Sequence, residues 1–328
     1  MGAGMTEDTP KHFAGFWPRV GAWLVDAIVL GLIGYAIGWA AFDYVSPLGA
    51  NARFIGLGIG VLYHGILGSS LAGGRTLGKR LLGLKVVSLN GKPLNLFVAL
   101  WRAIFLVGPA ILNGWFFYIA DPVLFQVLSV VAITAVFGVG LAQIYLVLFG
   151  GPARRLFHDL LSGSVVVYAA TREVPKPKGA VHAAVAAVLV LGAAGLAVVG
   201  PGLVAAWFPS AVVSYPAEQA VADAVGKLPE VGEVGVTNNT HTYYSDGKAT
   251  TTSTLIVTAR TGRWAADTNP LLAKIGAETV KVYKFAPGQE LTVKVVNGFD
   301  LGIASLTSAR SVPYRTDCTA ADTTCLME

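Results

Sequence analysis

The chain has 328 residues, 54% of them hydrophobic and only 13% charged, with a net charge of +5 and a mean hydropathy of +0.61. These values exclude intrinsic disorder, which needs low hydrophobicity and high charge. They also argue against an ordinary soluble enzyme, because the apolar residues are bunched in long runs. Two cysteines exclude a disulfide scaffold and a four-cysteine zinc site. The charge is asymmetric: residues 1–208 hold 14 Lys and Arg against 7 Asp and Glu, and residues 209–328 hold 10 against 12. The basic excess therefore belongs to the apolar half, where membrane topology is its natural cause. Nucleic-acid binding would need a basic stripe on the soluble half, which is slightly acidic, so no nucleic-acid partner is expected.

In chain order, a segment at 1–19 precedes five stretches that read as transmembrane: 20–42, 54–72, 98–119, 123–149 and 181–208. A span needs about 20 residues to cross roughly 30 Å of hydrocarbon. The second stretch is the shortest, and the third is interrupted by Gly108, Pro109, Asn113 and Gly114, which predict a kink or an interfacial segment. The first stretch contains Asp26, is longer than a signal core and has no small-residue cleavage site after it, so it reads as retained. If the N-terminus is cytoplasmic, segments 1–19, 73–102 and 150–180 carry 13 of the 14 basic residues of the apolar half; the outer loops carry only Arg53. The bias predicts an N-in bundle of five spans. Trp17, Trp39, Tyr44, Trp101, Trp115, Tyr118 and Trp207 fall near span ends, as interfacial anchors do.

Residues 169–180 read as a cytoplasmic linker ending in REVPKPKGA, extended by its prolines. From 209 to 328 the composition is that of a small extracytoplasmic α+β domain. Helices are predicted at 217–228 and 268–277, and strands at 231–240, 252–260, 279–285, 290–297 and near 303–308, with a turn at Ser245-Asp246-Gly247-Lys248. No convincing internal repeat is visible in the apolar half. Cys318 and Cys325 are expected to form a disulfide pinning the C-terminal tail, since CTAADTTC fits no redox or metal motif. His241, Tyr243, Tyr244 and Asp246 cluster in NNTHTYYSDG, which reads as cross-strand pairing more readily than as a ligand site.

Three segments carry the remaining polar chemistry. Arg19 and Asp26 open the first span; seven residues apart, they share one helix face about 10 Å apart along the axis. Arg19 is expected to snorkel to the headgroups. A carboxylate at the depth of Asp26 costs on the order of 2.5–3.5 kcal/mol and needs a partner, a proton or a hydrated cavity. Residues 73–92 match the spacing G-x4-G-K, but Arg80 stands where the magnesium-binding hydroxyl belongs, so nucleotide binding is rejected. Within them, 84–89 is weakly strand-like and Asn90-Gly91 is a turn signal. In RRLFHDLLSGSVVV, Arg155 and Asp159 are spaced for an i,i+4 pair, and Ser164–Tyr168 suits pairing with 84–89.

Together these segments resemble the RDD family of bacterial membrane proteins, named for one arginine and two aspartates. Arg19 and Asp26 match the first-helix pair, Asp159 the second aspartate, and GRTLGKRLLGLKVV the family's loop, over about residues 13–168. The resemblance implies a multi-pass protein of the bacterial plasma membrane. Proposals of transport for some members, cation/proton exchange included, extend to this chain as proton-coupled movement of a small cation or solute through Arg19, Asp26, Asp159 and His64. Lys79, Arg102 and Arg155 are supporting charges.

Two readings of these residues stay open. Asp26 is either an ion-pair partner of Arg102, Arg155 or Lys79, or part of a transport path. His64 is either a helix-packing residue beside Gly58, Gly60 and Gly65, or a proton relay. The alternative for the whole chain is an anchored scaffold or sensor presenting an outer binding domain. The expected partners are the lipid bilayer and a second copy or an envelope protein. No enzyme, metal site, cofactor or nucleotide is implied.

Overall fold

The computed structural model describes residues 12–113, 122–175, 180–207, 216–245, 248–262, 267–319 and 321–327. Several expectations fall outside them: Lys11, the anchors Trp115 and Tyr118, the end of the third expected span, Lys176 and Lys178 of the linker, and Asp246-Gly247 of the hairpin turn. The chain divides into two units. The first comprises Met1–Gly34, Arg53–Trp207 and Leu301–Ile303; the second comprises Tyr35–Ala52, Phe208–Asp300 and Ala304–Glu328.

In the first unit the long apolar runs become long helices. Helix α1 (Phe16–Ala40) begins with Pro18 in its first turn, where the missing N–H costs nothing. The short α2 (Phe42–Val45) and a 3-10 segment at Ser46–Ala52 belong to the second unit, and α3 (Arg53–Leu67) resumes the first. Helix α4 (Leu77–Leu81) starts at Thr76, whose hydroxyl accepts from the Lys79 amide, and strand β1 (Leu84–Ser88) follows. Helix α5 (Leu96–Leu112) is capped by Asn95, whose side chain accepts from the Val98 amide at 2.9 Å. It runs through Gly108 and Pro109 and ends at Asn113, one of the positions expected to interrupt the span.

Helices α6 (Pro122–Ile133) and α7 (Gly140–Phe149) flank a π-helical segment at Thr134–Val139. There Gly138 lets α9 approach closely: a Cβ on it would lie 3.0 Å from that of Ala193. Helix α8 (Phe157–Leu161), strand β2 (Ser164–Tyr168) and helix α9 (Ala180–Trp207) complete the unit.

Among the described residues, four helical stretches are long and apolar enough to cross a membrane: Phe16–Ala40, Phe42–Leu67, Gln126–Phe149 and Ala180–Leu203. The third expected span appears as the shorter apolar helix Leu96–Leu112. The second reaches Leu67 rather than 72, because Gly68 and the Ser69 cap end the helix. Trp17, Trp39, Tyr44 and Trp101 are exposed.

The unit contains a repeat that the sequence hides. Helix α4, Gly83 and β1 recur 80 positions later as α8, Gly163 and β2, and both glycines have positive φ, 64° and 59°. Strands β1 and β2 pair antiparallel with Val86 opposite Val166, themselves 80 apart. A local two-fold therefore passes through that pair. The helices before them follow the same offset: α1 starts at Phe16 and α5 at Leu96. Few side chains match beyond Arg75/Arg155, Leu81/Leu161, Gly83/Gly163 and the paired valines, which is why no repeat shows in the sequence. Phe13 forms an isolated bridge to Val167, and the Ala14 amide donates to the Val166 carbonyl, tying the N-terminal segment to the edge of the two-stranded ribbon.

The C-terminal domain holds α10 (Pro216–Val225), β3 (Val231–Ser245), β4 (Lys248–Thr261), α11 (Asn269–Val282), β5 (Glu290–Asp300) and β6 (Ser305–Tyr314). The sheet order is β3-β4-β5-β6, with β4 and β5 parallel and the outer pairs antiparallel. Leu255, Val257 and Ala259 on β4, and Leu291, Val293 and Val295 on β5, alternate onto one face. They pack there with Val221, Val225, Leu272 and Ile275 of the helices. The strand expected at 279–285 is the last turn of α11 and the coil after it. Its β-branched run looks strand-like, but Leu272, Ile275, Gly276 and Thr279 fall on the buried helix face, and tertiary packing overrides propensity. Cys318 and Cys325 are disulfide-bonded with Cα atoms 5.8 Å apart. Cys325 is buried in the domain core.

Candidate functional site

Asp26 lies on α1, nearly three turns inside its N-terminal end, and is 1% exposed. Its Oδ1 accepts from the Tyr63 hydroxyl and the Gly78 amide, both at 2.8 Å, and its Oδ2 from the Thr76 hydroxyl at 2.6 Å. Lys79 Nζ stands 3.9 Å away. The carboxylate is thus sealed, and of its three suggested partners Lys79 is the one beside it. Gly78 is required for this contact: any side chain there would strike the Ala22 carbonyl of α1. Burial pushes the Lys79 ammonium down to about 8, and the Arg102 charge adds to the fall while Asp26 opposes it.

Asp159 is fully buried on α8. Its Oδ1 accepts from Arg102 Nη2 at 2.8 Å, Arg102 Nε at 2.9 Å and the Ser164 hydroxyl at 3.1 Å. Its Oδ2 accepts from the Leu156 amide at 3.3 Å, closing the N-terminus of α8, and lies 3.7 Å from Arg19 Nη1. Burial alone would raise this carboxyl. The charges of Arg102, His158 and Arg19 outweigh it and hold the group below the ordinary carboxylate range. His158 beside it is pushed down to about 3, chiefly by burial.

The repeat relates the two pairs. Lys79 and Asp159 occupy equivalent positions on α4 and α8, and each faces an opposite charge on the first helix of its own repeat, Asp26 on α1 and Arg102 on α5. The charge on the short helix is braced in both repeats with the signs exchanged, although the partners Asp26 and Arg102 are 76 positions apart, about one helical turn off the repeat.

Two expectations about arginines are corrected. Arg19 does not snorkel outward. Its Nη1 donates to the Arg154 carbonyl at 2.6 Å, and its Nη2 to those of Ala153 and Val166. These backbone acceptors lie in the turn before α8 and in β2, within reach of a side chain with five donors. Arg155 does not pair with the Asp159 carboxylate. Its Nε donates to the Ser164 carbonyl and its Nη2 to the Asp159 carbonyl, because α8 begins after it, at Phe157. His64 is buried on α3, where Gly60 and Gly65 press against Val107 and Leu100 of α5.

These residues surround one cavity of about 180 Å³, lined by Arg19, Asp26, His64, Lys79, Arg102, Arg154, His158 and Asp159 among apolar side chains that include Phe16, Trp23, Leu106 and Val147. All four transport candidates border it, with Lys79 and Arg102 of the supporting charges; Arg155 does not. Sequence reasoning missed Arg154, His158, Tyr63 and Thr76 as parts of the site. Arg154 is the only non-glycine with positive φ among the described residues, at 41°. It stands 80 positions after Gly74, whose φ is 73°, so the repeat imposes on an arginine a conformation suited to glycine. Among the described residues no group of acidic, His and Cys side chains is arranged to hold a metal ion.

Long apolar helices around a charged cavity define an integral membrane protein with a polar internal site. Residues 13–163 match the model of the RDD family, and this part of the chain is an RDD domain; the C-terminal domain lies outside the match. No curated protein and no solved structure gives a significant match.

Proposed function

We propose that the RDD domain binds a small charged solute in this cavity and carries it across the membrane. The observation that supports this best is the place of the cavity: it draws on both repeats, Asp26 and Lys79 from the first, Arg102 and Asp159 from the second. Carriers built from repeats bind substrate at the repeat interface. In this reading Asp26 is a brace for α4 rather than a proton carrier, since three donors and Lys79 already hold it. Exchange of a small cation is less well supported than movement of an anion, because positive side chains outnumber carboxylates around the cavity.

The N-terminus and the β1–β2 ribbon lie on the cytoplasmic side of the bacterial plasma membrane, as the basic residues favour, and the C-terminal domain lies outside. The chain is not an enzyme.

Proteoliposomes holding the full-length protein test this through uptake of sodium-22 and of phosphorus-32 orthophosphate. Uptake of one ion above protein-free vesicles, lost in Val147→Trp, which fills the cavity, is the expected result. A folded protein that moves neither favours the anchored scaffold.

A further inference from the structure

We propose that the cavity binds an oxyanion of the phosphate class, either the free ion or a phospholipid headgroup; the inference rests on the cavity being the solute site of the bundle. Four cationic side chains border it, Arg19, Lys79, Arg102 and Arg154, against two carboxylates, Asp26 and Asp159. Both carboxylates are occupied by donors of the protein itself. Two positive charges, those of the partly buried Arg19 and Arg154, therefore remain without a carboxylate of their own, and uncompensated charge away from water is costly.

Unpartnered buried nitrogens mark the same place, and one of them, Arg19 Nε, is a donor in every state. Arg19 Nε, His64 Nδ1 and His158 Nδ1 are buried and have no hydrogen-bond partner among the described residues. His64 and His158 are 6% and 2% exposed, and both line the cavity. An arginine Nε–H can only donate, so the partner it lacks is an acceptor. The guanidinium groups of Arg19, Arg102 and Arg154, on α1, α5 and the turn before α8, border the cavity from three elements, and guanidinium matches the oxygens of a phosphate-class anion in its fork geometry. The volume of about 180 Å³ exceeds what one water needs, roughly 10–15 Å³ by the same kind of measure. Trp23 lines the cavity and is 57% exposed on a membrane-spanning helix. The cavity therefore borders the lipid-facing surface, a route open to a headgroup; a free ion would enter from water.

The test is equilibrium binding to the full-length protein in detergent. Sodium phosphate is titrated against sodium chloride at constant ionic strength, and native mass spectrometry follows extraction from phosphatidylglycerol or phosphatidylcholine vesicles. Saturable phosphate binding without retained phosphatidylglycerol identifies the free ion. One phosphatidylglycerol held per chain, with no phosphatidylcholine, identifies the headgroup. In either case Arg19→Lys, which keeps the charge and removes Nε, and Arg154→Gln, which removes a charge, each weaken binding at least tenfold. If Arg19→Lys does not fold, Arg154→Gln decides, and unchanged affinity in a folded Arg154→Gln overturns the proposal. Absence of both phosphate and lipid binding, with saturable sodium-22 uptake, overturns the anion assignment and leaves the solute site standing. Absence of binding and of uptake removes both.

Discussion

At the scale of the residue, the site depends on buried charges held by named partners. Asp159 has the most, so Asp159→Asn leaves Arg102 buried without its counter-charge. A loss of about 3–5 kcal/mol is expected, read as a lower melting temperature in detergent, with Arg102→Gln/Asp159→Asn more stable than either single variant.

Acid sensitivity follows from the same corner of the molecule. His158 titrates near 3 in the folded protein against an ordinary 6.5. Between those values the unfolded chain binds a proton that the folded one does not, so stability falls as pH falls through that window. The depressed Asp159 acts in the same direction at lower pH: its contribution is full above the ordinary carboxylate value and lost as pH falls through its folded value. Lys79, lowered from 10.5 to about 8, adds stability as pH rises between those values. Melting temperature is therefore expected to drop from pH 7 to pH 5, and His158→Gln to flatten that slope; an equal slope in the variant contradicts the assignment.

At the scale of the element, glycines decide how closely the short helices dock. Gly78 places the α4 backbone on that of α1 and aims its amide at Asp26. Gly78→Ala is expected to cost about 1–3 kcal/mol by overpacking and to loosen the 2.8 Å bond to Asp26. Limited proteolysis cutting within 73–83 of the variant, and not of the native chain, checks it. Much of this element was legible beforehand. Asp26 stood out because a carboxylate inside an apolar run needs an explanation, and the pairing of 84–88 with 164–168 followed from two short β-branched runs in basic segments. The repeat was not legible, because what it conserves is backbone: two five-residue helices, two positive-φ glycines and two strands, with almost no shared side chains. Nor was Arg154, since a positive φ on arginine leaves no trace in sequence.

At the scale of the whole molecule, the C-terminal domain rests on its own core and its own covalent tie. The disulfide closes a loop of seven residues' separation onto buried Cys325, and the tail continues with Leu326 bridging Tyr314. Cys318→Ser/Cys325→Ser is expected to cost that domain roughly 2–3 kcal/mol by loop-closure entropy, seen as an earlier melting step for the C-terminal domain in calorimetry of the full chain. The αββαββ order was readable from alternation and turns. Its second half was misallotted because Val280 and Val282 imitate a strand while the buried face of α11 keeps helical spacing.

Thiol chemistry tests most directly the proposal that the positively biased cavity of the membrane domain admits a solute. Both native cysteines are disulfide-bonded, so Leu106→Cys introduces one free thiol into the cavity wall. Rates of modification by a sulfonate-bearing and a trimethylammonium-bearing methanethiosulfonate, each normalised to a free thiol in solution, are compared. At least tenfold preference for the sulfonate is the predicted result. No modification by either reagent, or a preference for the cation, would contradict a solvent-reachable cavity of positive charge.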